Sequence, residues 1–230
     1  MWIILVWIIS ASCYLPLYFE RLGYAVPNVL IQAKYLFVIV PIVYSLICVN
    51  RKVNIKNWMR GLFVPKVEFE ALILCSLIAF LGISCTSILN KEAWSEISLP
   101  FSILYLFCMA ALEEIAWRGF RLEYILCKKT KRVAIFIVSL EWALWHIPMW
   151  VIRNSIGLNE IVFWLMYTVL IGSILGKCMV QYKNIIVPII LHTIFNVCFL
   201  MPIKMSVIFV LCIWIGVLLF GIAKRKTSNL

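Results

Sequence analysis

Apolar residues run along this chain in long blocks separated by short polar and basic stretches. A helix needs about 20 predominantly apolar residues to cross a bilayer. By that measure the pattern predicts eight spans: Trp2 to Phe19, Val29 to Val49, Ala71 to Leu89, Leu99 to Trp117, Val133 to Ile152, Ile161 to Val180, Ile185 to Ile203 and Ser206 to Ala223. Between the second and third lies RKVNIKNWMRGLFVPK, whose basic residues and Trp58 suit a helix lying in the membrane interface. No Gly/Ser/Pro-rich linker, composition shift or internal repeat divides the chain. Residues 1–230 are therefore read as one polytopic domain, an all-α bundle of eight transmembrane helices with an intramembrane polar cavity. The N-terminal MWIILVWIIS lacks a basic n-region and an A-x-A site, so it reads as a retained first helix.

The exceptions to the pattern carry the chemistry. Glu113, Glu114 and Arg118 interrupt the fourth apolar block, where each ionisable residue costs about 2.5–3.5 kcal/mol on insertion scales. The chain's two histidines, His146 and His192, also fall within apolar blocks. Counted from the flanking basic residues at about 1.5 Å per residue, Glu113, His146, His192 and Asn196 fall at comparable depths on three helices. His192 and Asn196, at i and i+4, share a helix face, and so do Glu114 and Arg118. Glu113 and Glu114 are neighbours and point about 100° apart. The economical division gives the cavity to Glu113 and leaves Glu114 to Arg118. Arg118 and Arg121 are expected to approach the interface. Glu141 either contacts the site or pairs with Lys34 or Arg153, the structural role being favoured, and Trp142, Trp145 and Trp150 read as packing and interface anchors.

Composition changes this picture little. The chain is 65% hydrophobic, with a mean hydropathy of +1.04, which excludes a soluble domain. A net charge of +11 taken alone suggests a nucleic-acid partner, but the basic residues sit in short loops and mark topology instead. Sixteen flank one set of alternate span ends and four the other, with Lys34 inside the second span, accounting for all 21. The positive-inside rule then puts both termini in the cytoplasm. Nine cysteines without CxxC spacing read as apolar filler.

A carboxylate assisted by a neutral histidine can take a proton from water and make it nucleophilic toward a peptide carbonyl. A second histidine and an asparagine can donate to the resulting oxyanion. The same groups, two His and one Glu, also suit zinc with an open position for water. There is no HExxH pattern. Both schemes remain open at this level.

Three ordered motifs resemble the CPBP family, the CaaX-protease and bacteriocin-processing (Abi) intramembrane endopeptidases. They are Glu113-Glu114-Ile115-Ala116-Trp117-Arg118, Trp142-Ala143-Leu144-Trp145-His146 and His192-Thr193-Ile194-Phe195-Asn196. The resemblance covers about Leu106 to Leu200 and makes 98–200 the catalytic core. It implies an eight-helix fold and cleavage near the C-terminus of a membrane-associated peptide or lipidated protein. It also implies that Glu113 and His146 activate water while His192 and Asn196 hold the oxyanion, with Glu114 and Arg118 in support. Glu113, His146 and His192 would be the ligands if zinc is used, and no cofactor is needed if it is not. The departure is Trp142, where the family usually has Phe.

The resemblance further suggests peptide maturation or bacteriocin self-immunity. Richness in Ile, Lys and Asn points to a low-GC bacterium, hence a bacterial cell membrane. Two other classes compete: a non-catalytic immunity or scaffold protein, and a proton-coupled transporter, which would show inverted repeats and broken helices.

Overall fold

The computed structural model describes residues 2–50, 54–63, 99–153 and 157–198, and every regular element among them is helical. In chain order these are α1 (Trp2–Arg21), α2 (Asn28–Asn50) and α3 (Ile55–Leu62). Helix α4 covers 99–126, followed by α5 (Lys131–Arg153), α6 (Leu158–Tyr182) and α7 (Ile186–Cys198). Four of them, α1, α2, α5 and α6, contain stretches long and apolar enough to cross a membrane, and α7 holds a shorter apolar stretch. Six of the eight expected spans fall on described helices, the seventh only as far as Cys198. The third and eighth, Ala71 to Leu89 and Ser206 to Ala223, lie outside the described residues.

Local sequence explains the irregularities that matter. Pro16 cannot donate a backbone hydrogen bond, and α1 tightens just before it, with Cys13 N and Tyr14 N bonding three residues back. Pro148 acts similarly in α5, which is α-helical to Trp145, turns at His146 and resumes as a π-helix over Met149–Arg153. His146 thus stands at a break in its helix. Helix α4 changes to π-helical winding at Ile115–Leu122, immediately after the two acids. Such segments recur at functional sites because they re-aim side chains.

Helix α4 continues past Trp117, where the apolar block ends, as far as residue 126. Arg118 and Arg121 are both buried inside the bundle. Each has an acid partner inside the bundle, so neither needs water. The partner of Arg121 is Glu141, held by two hydrogen bonds, one of 2.7 Å from Nε to Oε2. Glu141 is therefore structural, but it ties α5 to α4 rather than pairing with Lys34 or Arg153.

The core is built on close helix approach and aromatic rings. Helices α5 and α6 pack along their length. A Cβ on Gly172 would lie 2.9 Å from Ser139 Cβ and 3.1 Å from its Cα. Small residues of this kind let membrane helices approach backbone to backbone. A run of rings links the N-terminal helices to α4 and α5. Trp2 meets Trp117 edge-on at 5.1 Å, Trp117 meets Trp145 at 5.7 Å, and Phe37 stacks on Trp145 at 3.9 Å.

Helix α3 has the amphipathic character expected of the segment between the second and third spans. Ile55, Trp58, Met59 and Leu62 occupy one face at helical spacing and are at least partly buried. Lys56, Asn57 and Arg60 on the other face are exposed. Asn54 caps it by accepting from Lys56 N at 2.9 Å. Its C-terminus is tied to the start of α7, where Ile185 N donates to Leu62 O at 3.0 Å.

Candidate active site

The residues singled out by motif meet in one cavity. Glu113, His146, His192 and Asn196 all line a space of about 430 Å³, together with Trp142, Tyr14, Lys34 and Arg153. Helix α4 brings the acids, α5 brings His146 and α7 brings His192 and Asn196. The i, i+4 spacing of His192 and Asn196 sends both to the same cavity, as expected.

The two acids divide as helical spacing predicts. Glu113 lines the cavity. Glu114 is fully buried, and its Oε1 accepts from Arg118 Nη1 at 2.8 Å. The same oxygen also accepts from His192 Nδ1 at 2.9 Å, a link that spacing along one helix does not reveal. Glu114 therefore orients a cavity histidine as well as pairing with Arg118. The guanidinium is itself held on three sides. Besides Glu114, it lies over the Trp142 ring at 4.5 Å, and its Nη2 donates to the Gly172 carbonyl at 3.4 Å.

Hydrogen-bond chemistry assigns the tautomers. His146 Nδ1 lies 2.7 Å from the Trp142 carbonyl, which only accepts, so Nδ1 carries the proton. In the neutral ring Nε2 then offers a lone pair. That Nε2 is 3.9 Å from Glu113 Oε2, too far for a direct hydrogen bond. One water can bridge two acceptors at this separation, donating a proton to each and leaving a lone pair for attack. His192 is likewise protonated on Nδ1, because a carboxylate accepts there. Donation from its Nε2 to an oxyanion requires the doubly protonated ring. The Asn196 amide is a donor in any protonation state.

Both rings donate Nδ1–H to an oxygen, a second-shell pattern common in histidine metal sites. Among the described residues, however, no group of three His, Cys, Asp or Glu converges as metal ligands. Glu113 Oε2 is moreover engaged by the Trp142 indole. As arranged, these residues do not fit a zinc ion, so the chemistry is derived from the chain's own groups.

Trp142 is the main site residue that sequence reasoning missed. Expected as a packing anchor, it donates from Nε1 to Glu113 Oε2 at 2.9 Å and is buried. Its ring also meets His146 edge-on at 4.9 Å and His192 at 5.3 Å. The available signal was its position four residues before His146, on the same helix face. Trp145 is a core residue, whereas Trp150 stacks on His146 at 5.6 Å.

Residues 95–198 match the Rce1-like family, described as type II CAAX prenyl endopeptidases. The chain is also 29% identical over 163 residues to CAAX prenyl protease 2 of Methanococcus maripaludis. That alignment covers 64% of this chain and 59% of the relative, so the chain spans less than two thirds of the relative's length. The family match contains all three motifs and every residue of the acid–histidine cluster. Together the motifs, the match and the relative make this chain similar to the CPBP family.

Proposed function

We propose that this chain is an intramembrane endopeptidase that hydrolyses a peptide bond in a membrane-bound, prenylated protein or peptide. The observation that carries the reading is the pairing of Glu113 Oε2 with His146 Nε2, 3.9 Å apart in a membrane-protein cavity. A water held between them loses a proton to Glu113 as its oxygen attacks the carbonyl carbon. His192 and Asn196 donate to the oxyanion that forms. Collapse breaks the C–N bond, and the proton held by Glu113 passes to the leaving amine. Glu114 and Arg118 do not take part in proton transfer; they hold His192 and the α4 helix in register. In this scheme the protein lies in the membrane with both termini cytoplasmic, as the basic loops predict.

The test is turnover of an S-farnesylated CAAX-type peptide by the purified full chain and by Glu113→Gln, His146→Ala and His192→Ala. Loss of general-base assistance is expected to lower kcat by about 10²–10⁴-fold for the first two. Turnover that survives all three substitutions would sink the protease reading and leave a non-catalytic membrane binder. Chelation is expected to leave turnover of the wild-type chain unchanged; activity that disappears and returns with added zinc would move the mechanism to a metal.

A further inference from the structure

Hydroxyl groups on the long helices mostly bond to their own backbone. Ser45, Ser139, Ser173 and Thr193 each donate to the carbonyl four residues back, at 2.7 or 2.8 Å. Thr168 of α6 departs from this habit. It is buried and lines the cavity, and its hydroxyl has no hydrogen-bond partner among the described residues. Ser10 of α1 is also buried and unpartnered, but it does not line the cavity.

Its neighbours along α6 fix its level. Trp164, one turn earlier, meets Trp150 at 6.2 Å, and Trp150 stacks on His146 at 5.6 Å. Gly172, one turn later, accepts from Arg118, which holds Glu114. Residues four apart share a helix face. The Thr168 hydroxyl therefore lies on the α6 wall between the His146 side of the cluster and the Arg118–Glu114 pair. From α6 the cavity takes Trp164, Thr168 and Ile171, of which only Thr168 has a group that both donates and accepts. The other hydroxyls on the cavity are differently placed. That of Tyr14 bonds to Arg153, and Tyr35 and Tyr105 are exposed residues.

We infer that Thr168 is a substrate-binding residue whose hydroxyl hydrogen-bonds a backbone peptide group beside the bond that is cut. The peptidase reading supplies the ligand; the unengaged hydroxyl on the cavity wall supplies the site. Within a membrane each backbone N–H and C=O without a partner is costly, and an extended peptide brings several. His192 and Asn196 serve the carbonyl that reacts, and Glu113 and His146 serve the water. The peptide groups on either side are left without a partner among those four residues. A hydroxyl that both donates and accepts suits a peptide N–H or C=O, whichever is presented.

The test compares Thr168→Val, which keeps the shape and deletes the hydroxyl, with Thr168→Ser, which keeps the hydroxyl. The full chain is held in phosphatidylcholine nanodiscs and given an S-farnesylated CAAX-type peptide. Values of kcat and KM are taken in the otherwise wild-type chain, and Kd in a Glu113→Gln background where turnover is slow. Thr168→Val is expected to raise Kd and KM about three- to tenfold, the range for one neutral hydrogen bond, with kcat and Tm little changed. Thr168→Ser is expected to stay near the wild type. Should Thr168→Val lower Tm, Thr168→Ala, which also lacks the hydroxyl, is read in its place. Peptides with one backbone amide at a time replaced by an ester, which removes an N–H and weakens a C=O, locate the partner. At one position the ester's penalty is expected to vanish in Thr168→Val. A penalty unaffected at every position, an unchanged Kd, or a Thr168→Ser chain as weak as Thr168→Val overturns the contact. So does a fall in kcat alone, which would place the hydroxyl in the chemical step. Hydroxyl-dependent binding without wild-type turnover refutes the protease reading and keeps the contact; turnover indifferent to Thr168 does the reverse.

Discussion

At the residue scale, one hydrogen bond decides how Glu113 is presented. The Trp142 indole fixes Oε2 at 2.9 Å, on the same side of the carboxylate that faces His146. Trp142→Phe keeps an aromatic ring against Arg118 and both histidines but deletes the donor. A hydrogen bond to a charged group contributes about 1.5–3 kcal/mol. If the bond positions Glu113 for reaction, kcat should fall by about tenfold or more with KM little changed. Steady-state kinetics on a farnesylated peptide check this, and an unchanged kcat would reduce Trp142 to packing. The residue was legible as part of a motif, but its donor role was not. Position in the chain places Trp142 on the face of His146; only the approach of α4 to α5 brings its N–H to an acid 29 residues away.

At the element scale, the site depends on how closely α5 and α6 approach. Gly172 sits against Ser139 with no room for a Cβ, and the atoms it would meet include backbone. Its carbonyl also accepts from Arg118, so moving α6 disturbs the support behind Glu114. Gly172→Ala is expected to destabilise the protein by about 1–3 kcal/mol, the range for overpacking. Gly119→Ala provides the contrast. Its added Cβ would come within 2.7 Å of Leu62 Cδ1, the far end of a flexible side chain that can turn away. Thermal unfolding in detergent should show a clear loss of Tm for Gly172→Ala and a smaller one for Gly119→Ala. Helix positions were legible because hydropathy is a sum over neighbouring residues. The breaks at Pro16 and Pro148 follow from a missing backbone donor. The π-helical stretch of α4 has no comparable residue signal, since it accommodates contacts made by Trp117, Arg118 and Arg121 with other helices.

At the scale of the whole molecule, Arg118 joins four helices. It belongs to α4, lies on Trp142 of α5, donates to Gly172 of α6 and shares Glu114 with His192 of α7. Removing one partner of a buried pair leaves the other charge uncompensated and costs about 3–5 kcal/mol. Arg118→Ala is thus expected to lower stability far more than Lys34→Gln, whose side chain lies over an open cavity; unfolding in detergent measures both. Equal Tm values for Arg118→Ala and the wild type would show that the network is not needed for the fold.

The sequence by itself determined that this is a helical membrane protein, where most of its helices lie, and which polar residues share a face. Those properties follow from the apolar transfer energy of contiguous residues and from a period of 3.6. It also separated Glu113 from Glu114, because adjacent helical residues cannot point the same way. Tertiary structure alone decided that Glu114 reaches His192, that Glu141 holds Arg121, and that both arginines are buried. It also turned Trp142 into a donor to Glu113 and brought Lys34 and Arg153 to the same cavity. These are contacts between helices remote in sequence, and they depend on crossing angles and on how closely backbones approach. Neither quantity is encoded in the periodicity of a single helix.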